Sequence, residues 1–364
     1  MTCTLNAQQV GSSRDVSKSQ QRILSIDALR GFDMFWLIGG AELMLSFDQV
    51  FHNQFTRWLA LQFQHTTWAG PRFYDFIFPL FLFIVGLVIP ISIDRLKAKG
   101  LSQTAIIMHI LKRTAVLVVL GMMTKGLLQG NVKFVSVLSR IGFGYFVAAM
   151  LILYTGPKLQ AIVCGAILAV SWPAMMLIPI PALDGHVYLM EGVAKIVPTL
   201  SQAAIWIMSI PSVLAGTLAG YWLMEPRDEM AKLRRLAAAG AICVGAGLAW
   251  GLVYPRVFSL WTGSFVVFMA GCGIVLLSVF YYIIDVKKYQ KWCKFFVVMG
   301  SNAVFIYFLS VSGIVDWSRT TEFFAGGVIS HAGAFGPIIE ALTYTAIMWF
   351  ICGFLYRHRI FIKA

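Results

Sequence analysis

His65, Trp68, Arg72 and Asp75 lie in one short stretch that runs directly into the apolar segment Phe76 to Pro90. An imidazole that gives one ring N–H to a carboxylate has a fixed tautomer, and its other nitrogen becomes a base or a nucleophile. Such a pair suits the movement of an acyl group from a thioester to an amine or hydroxyl. His65 and Asp75 stand ten residues apart with one loop between them, so the spacing alone does not bring them into contact. The plain alternative is an interfacial histidine satisfied by water or a phosphate, and the residues taken alone leave both readings open.

The elements that would position this stretch are membrane helices. The chain has 364 residues, 59% of them hydrophobic and 12% charged, with a mean hydropathy of +0.78. Soluble domains carry about 25% charged residues. The expected fold is therefore an all-α, polytopic integral membrane helical bundle of about ten transmembrane helices, since a spanning helix needs roughly 17 to 25 apolar residues. The spans are read at about 28–46, 76–93, 106–124, 141–155, 159–180, 203–224, 236–254, 261–284, 295–315 and 338–356. Residues 1–21, polar and rich in Ser and Gln, read as a disordered cytoplasmic tail, and residues 22–364 as a single transmembrane domain.

A net charge of +13 could suggest a nucleic-acid partner, but its distribution follows a membrane rule. With the N-terminus inside, only Arg57, Arg72, Lys125, Lys133, Arg140, Lys195, Arg256 and Arg319 of the 29 Lys and Arg fall outside. This is the positive-inside bias. It predicts cytoplasmic termini, His65 on the outer face, membrane lipids as partners and no nucleic acid. The six cysteines, without Cys-x-x-Cys spacing, read as small core residues rather than as a disulfide framework or a metal site.

Other features refine the picture. Asp27, Arg30 and Asp33 recur every three residues, so Arg30 can reach either carboxylate on a helix. Glu42 is a carboxylate inside the first span and is expected to line a polar cavity. Phe51, Phe55, Trp58 and Leu59 would form one face of an interfacial helix leading to His65. Lys112 and Arg113 would close the segment before the third span, where they could meet lipid head groups or the phosphates of a nucleotide cofactor. Ser212, Gly216 and Gly220 give small-xxx-small spacing, first of all a close-packing face. Asn302 reads as a helix clamp or a cavity donor. Segment 316–337, with four glycines around His331, reads as a flexible loop or a mobile cover, and Trp261 is expected at the outer interface.

The pattern His65-x-x-Trp68-x-Gly70, then Asp75, then Phe-Pro-Leu-Phe-Leu-Phe-Ile-Val-Gly86 resembles the membrane acyltransferase family that includes heparan-alpha-glucosaminide N-acetyltransferase and its bacterial relatives. Val137-Leu-Ser139-Arg140-Ile, Trp261-Thr-Gly-Ser-Phe265 and Asn302-Ala also look like family segments, with Ser139 where the family usually has glutamine. The resemblance implies a catalytic histidine at His65, with Asp75 orienting it. It also implies acetyl-CoA approaching from the cytoplasm past Lys112 and Arg113, and a glycan or amino-sugar acceptor on the outer face. Trp68, Glu42, Arg140 and Asn302 are the candidate substrate-binding residues. Relatives often carry an Asn-Asn pair where this chain reads Gly39-Gly40-Ala41-Glu42, which leaves the acceptor open. A secondary transporter of a small polar solute and a non-catalytic scaffold remain alternatives, no metal is expected, and a homodimer is left open.

Overall fold

The computed structural model describes residues 23–127, 130, 134–177 and 198–362. The tail expected at 1–21 lies outside the described residues, as does most of the loop around Asp184 and Glu191. The described residues form an α-helical bundle whose single β feature is an isolated bridge between Ala69 and Val257. Eight of the described helices are long and apolar enough to cross a membrane. A ninth candidate is the pair Lys294–Gly300 and Ala303–Val311, bent by 70°.

The remaining expected span is helical but interrupted. α1 (Leu24–Phe35) and α2 (Ala41–Phe51) are joined by a π turn at Trp36–Gly40, and neither piece alone reaches membrane length. A Cβ on Gly39 would overlap the Thr345 hydroxyl, so a later helix packs closely on this turn. π turns of this kind recur at functional sites. Arg30 pairs with Asp27 at 3.7 Å, whereas Asp33 is fully buried.

α3 (Gln54–Gln62) is separated from α2 by a left-handed residue, His52, and opens on a capping box between Asn53 and Thr56. Its Phe55 and Trp58 are exposed, as an interfacial helix requires, although the expected face is broken at His52 instead of running on from Phe51. α4 (Phe73–Ala98) follows, then α5 (Gln103–Met123), α6 (Val137–Tyr154), α7 (Pro157–Leu177), α8 (Pro198–Met224), α9 (Glu229–Trp250) and α10 (Gly263–Tyr281). The bent pair is α11 (Lys294–Gly300) and α12 (Ala303–Val311). α13 (Trp317–His331) and α14 (Gly336–Arg357) complete the chain.

α4 and α8 form the centre, each 67% buried across its most apolar window, while α5 and α14 are 22% buried and lie at the periphery. The small-residue face of α8 works as its spacing predicts. A Cβ on Gly216 would overlap the Phe83 carbonyl and one on Gly86 the Val213 carbonyl, and the Thr217 hydroxyl donates to the Gly86 carbonyl at 3.2 Å. Close backbone approach replaces the hydrophobic drive that lipid removes.

Three expectations need correction. Residues 317–331 are a helix, not a loop or cover. The Asp316 side chain accepts the Arg319 N–H at 3.1 Å and so caps it, and the Trp317 indole donates to the Leu309 carbonyl. Trp261 is buried, not interfacial. It has φ +51° in a tight turn and packs on Phe78 with ring centroids 5.0 Å apart. Lys112 and Arg113 lie well inside α5, not before it.

Candidate active site

Asp75 occupies the first turn of α4, where free backbone N–H groups and the helix dipole favour a carboxylate. Its Oδ2 accepts the Arg72 N–H at 3.0 Å and the Thr66 N–H at 3.3 Å. These bonds fold residues 65–72 back over the helix start. The loop is thereby closed on the one side chain that can receive His65, and His65 Nδ1 lies 2.7 Å from Asp75 Oδ1. Asp75 is fully buried while the His65 side chain is 53% exposed. With the Nδ1 proton donated to Asp75, the free lone pair is on Nε2. The Arg72 guanidinium also donates to the His65 carbonyl, at 3.4 Å.

The face of the imidazole is set by a distant segment. Phe258 stacks on it at 4.6 Å with the ring planes 9° apart, and Tyr74 sits 5.0 Å away at a tilt. Phe258 is held there by a hydrogen-bonded turn. Thr262 Oγ1 donates to the Pro255 carbonyl and accepts the Val257 N–H, Ser264 Oγ donates to the Tyr254 carbonyl, and Gly70 N–H reaches the Arg256 carbonyl. The segment Trp261 to Phe265, singled out in the sequence, thus builds a floor for the histidine. Burial pushes the Tyr254 phenol of this turn up to about 12, so it remains a neutral structural group at ordinary pH.

Tyr74 stands next to Asp75 at the start of α4, and Arg140 is half-buried near the start of α6. Glu42 is exposed despite its apolar helix. Trp68 is half-buried in the same hairpin as His65. Ser139, which replaces the expected glutamine, is buried and bonds Ser136 at 2.8 Å, and both hydroxyls pack against Gly121. A longer amide would have no room in that arrangement.

The other candidates stand elsewhere. Asn302 is buried, and its side chain is committed to the segment after α14: Nδ2 donates to the Ile360 carbonyl at 3.1 Å and Oδ1 accepts the Ile362 N–H at 2.8 Å. It is a clamp, though on extended backbone instead of on a helix. The Arg113 guanidinium lies 4.6 Å from the Tyr145 ring centre, while Lys112 is exposed. Tyr74 and Phe258 were not anticipated as site residues. For Phe258 the only sequence signal was its closeness to the Trp261 segment.

A stretch of 96 residues, 24% of this chain, is 31% identical to mouse heparan-alpha-glucosaminide N-acetyltransferase and covers 15% of that protein. The human protein of the same name matches at 31% identity over 96 residues, 14% of its length. The chain is distantly related to heparan-alpha-glucosaminide N-acetyltransferase. No family model matches the chain. The match spans only a small part of either relative, so what those enzymes act on bears on this chain as a source of proposals.

Proposed function

We propose that this chain is a membrane-embedded acetyltransferase. It would use His65, oriented by Asp75, to move an acetyl group from acetyl-CoA to an amino sugar or other glycan acceptor across the bilayer, with both chain ends on the donor side. The observation that carries this reading is the 2.7 Å contact from His65 Nδ1 to a carboxylate that is itself pinned by two backbone N–H groups. A merely interfacial histidine has no need of a buried, prearranged partner. The distant relationship to an N-acetyltransferase supports the same chemistry.

In the direct form of the reaction, the acceptor nitrogen or oxygen attacks the thioester carbonyl as Nε2 takes its proton. The tetrahedral intermediate then expels the CoA thiolate, and the imidazolium returns the proton to it. In the carrier form, Nε2 attacks the thioester carbonyl and the CoA thiolate leaves; the acceptor then attacks the acetyl carbonyl on Nε2, the imidazole departs with the electron pair of the broken bond, and the acceptor's proton passes to water or to the thiolate. Phe258 and Tyr74 keep the ring from turning in either form. Glu42, Trp68 and Arg140 are proposed to contact the acceptor. Lys112, with Arg113 behind it, is proposed to receive the cofactor phosphates.

The test is acetyl-CoA turnover by the purified full chain in nanodiscs. Release of free CoA that depends on an added amino sugar, with acetyl recovered on that sugar, is expected. No acetyl transfer to any of a panel of amino sugars and glycans would remove this reading.

A further inference from the structure

The end of α14 departs from what a helix terminus needs for itself. The Ile360 N–H bonds the Leu355 carbonyl and the Arg359 N–H the Tyr356 carbonyl, the pairing of a Schellman stop. The left-handed residue of that motif is usually glycine, because a side chain there crowds the following carbonyl. Here it is Arg359, at φ +56°. The strained turn is fixed from outside by Asn302, whose buried amide grips the backbone of Ile360 and Ile362. Strain that the surroundings maintain marks a place where the conformation is used.

What the clamp holds in place is a basic cleft. Tyr356, Arg357, Arg359 and Phe361 line a space of about 340 Å³. Arg357 and Arg359 are exposed and have no carboxylate partner among the described residues. Along the same side of α14, Phe350 and Phe354 are 67% and 59% exposed and stand one helical turn apart, on the way to Arg357. Apolar surface thus leads straight to paired guanidinium groups. Phe361 and Ile362, also exposed, flank the cleft as interfacial anchors.

We infer that this cleft binds the phosphate of an anionic phospholipid, with the acyl chains lying along the Phe350 and Phe354 face of α14. Arginine suits the task because its planar fork meets phosphate oxygens two at a time. A soluble phosphate ester shares the headgroup chemistry, but it would leave the apolar face beside the cleft uncovered. The inference does not depend on the catalytic reading.

The experiment is competition between phosphatidylglycerol and phosphatidylcholine for the purified full chain, read as bound lipid by native mass spectrometry. The wild type is expected to prefer phosphatidylglycerol and to lose that preference at high salt. R357Q/R359Q should weaken the preference by about 5-fold per arginine. R359G is the second variant, because glycine fits the left-handed position. It should be at least as heat-stable as wild type in lipid-free detergent and yet bind phosphatidylglycerol more weakly. If the arginines served only to offset the helix dipole, R359G would be less stable and its lipid preference unchanged. Wild-type preference in R359G or in R357Q/R359Q overturns the proposal. Displacement of phosphatidylglycerol by inorganic phosphate or coenzyme A overturns the assignment to lipid.

Discussion

Replacing Asp75 with asparagine changes one oxygen to an NH2 group in a site where both carboxylate oxygens have defined partners. If the amide oxygen keeps facing the Arg72 and Thr66 N–H groups, the NH2 points at His65 Nδ1. If the amide turns over, NH2 faces two donors and both bonds are lost. A buried donor left without its acceptor costs about 1–3 kcal/mol, and the turned-over amide leaves two of them, so the first arrangement wins by several kcal/mol. A donor facing Nδ1 forces the ring proton onto Nε2, and the base disappears although the geometry is intact. If Asp75 only oriented the ring, D75N would cost less than H65A. The doubly capped carboxylate makes the two losses comparable. A positioned base contributes about 10²- to 10⁴-fold, and the same exchange beside a serine-protease histidine costs about 10⁴-fold in kcat. The fold should lose only about 1–2 kcal/mol, because the carboxylate's bonds at the helix start become neutral ones. The assay is labelled acetyl transfer from acetyl-CoA, alongside thermal unfolding and ¹⁵N chemical shifts of the His65 ring. Wild-type kcat in D75N, or an unchanged tautomer with activity lost, would refute this reasoning.

F258A removes the stacked face of His65. An aromatic pair is worth about 0.5–1.5 kcal/mol, so kcat should fall about 2- to 10-fold, and an unchanged rate would take Phe258 out of the site. N302A releases the segment after α14 and should cost about 1–2 kcal/mol of stability while acetyl transfer stays within about twofold of wild type. Loss of transfer in a folded N302A protein would return Asn302 to the acceptor site.

What could be read from the sequence follows from the range of the interactions. Helix positions were legible because apolar length is a local property, and Ser212, Gly216 and Gly220 announced their packing face by spacing alone. The helix at 317–331 was obscured by its glycines, which outweighed the cap at Asp316 in a local reading. Lys112 and Arg113 looked like the end of a segment because charge is costly in lipid. Arg113 instead rests on Tyr145 of a neighbouring helix, a partner far off in sequence. His65 and Asp75 were legible as residue types, but their contact depends on backbone N–H groups of Thr66 and Arg72 that no side-chain pattern reveals. Phe258 and the backbone partners of Asn302 are long-range and lack any periodic signal.

The central claim is that His65 carries the chemistry, and H65A tests it most directly. The side chain is 53% exposed and outside the packed core, so the variant should fold and unfold thermally close to wild type. Acetyl transfer from acetyl-CoA by the purified protein should fall by at least about 10²- to 10⁴-fold. Full transfer by a well-folded H65A protein would contradict the account.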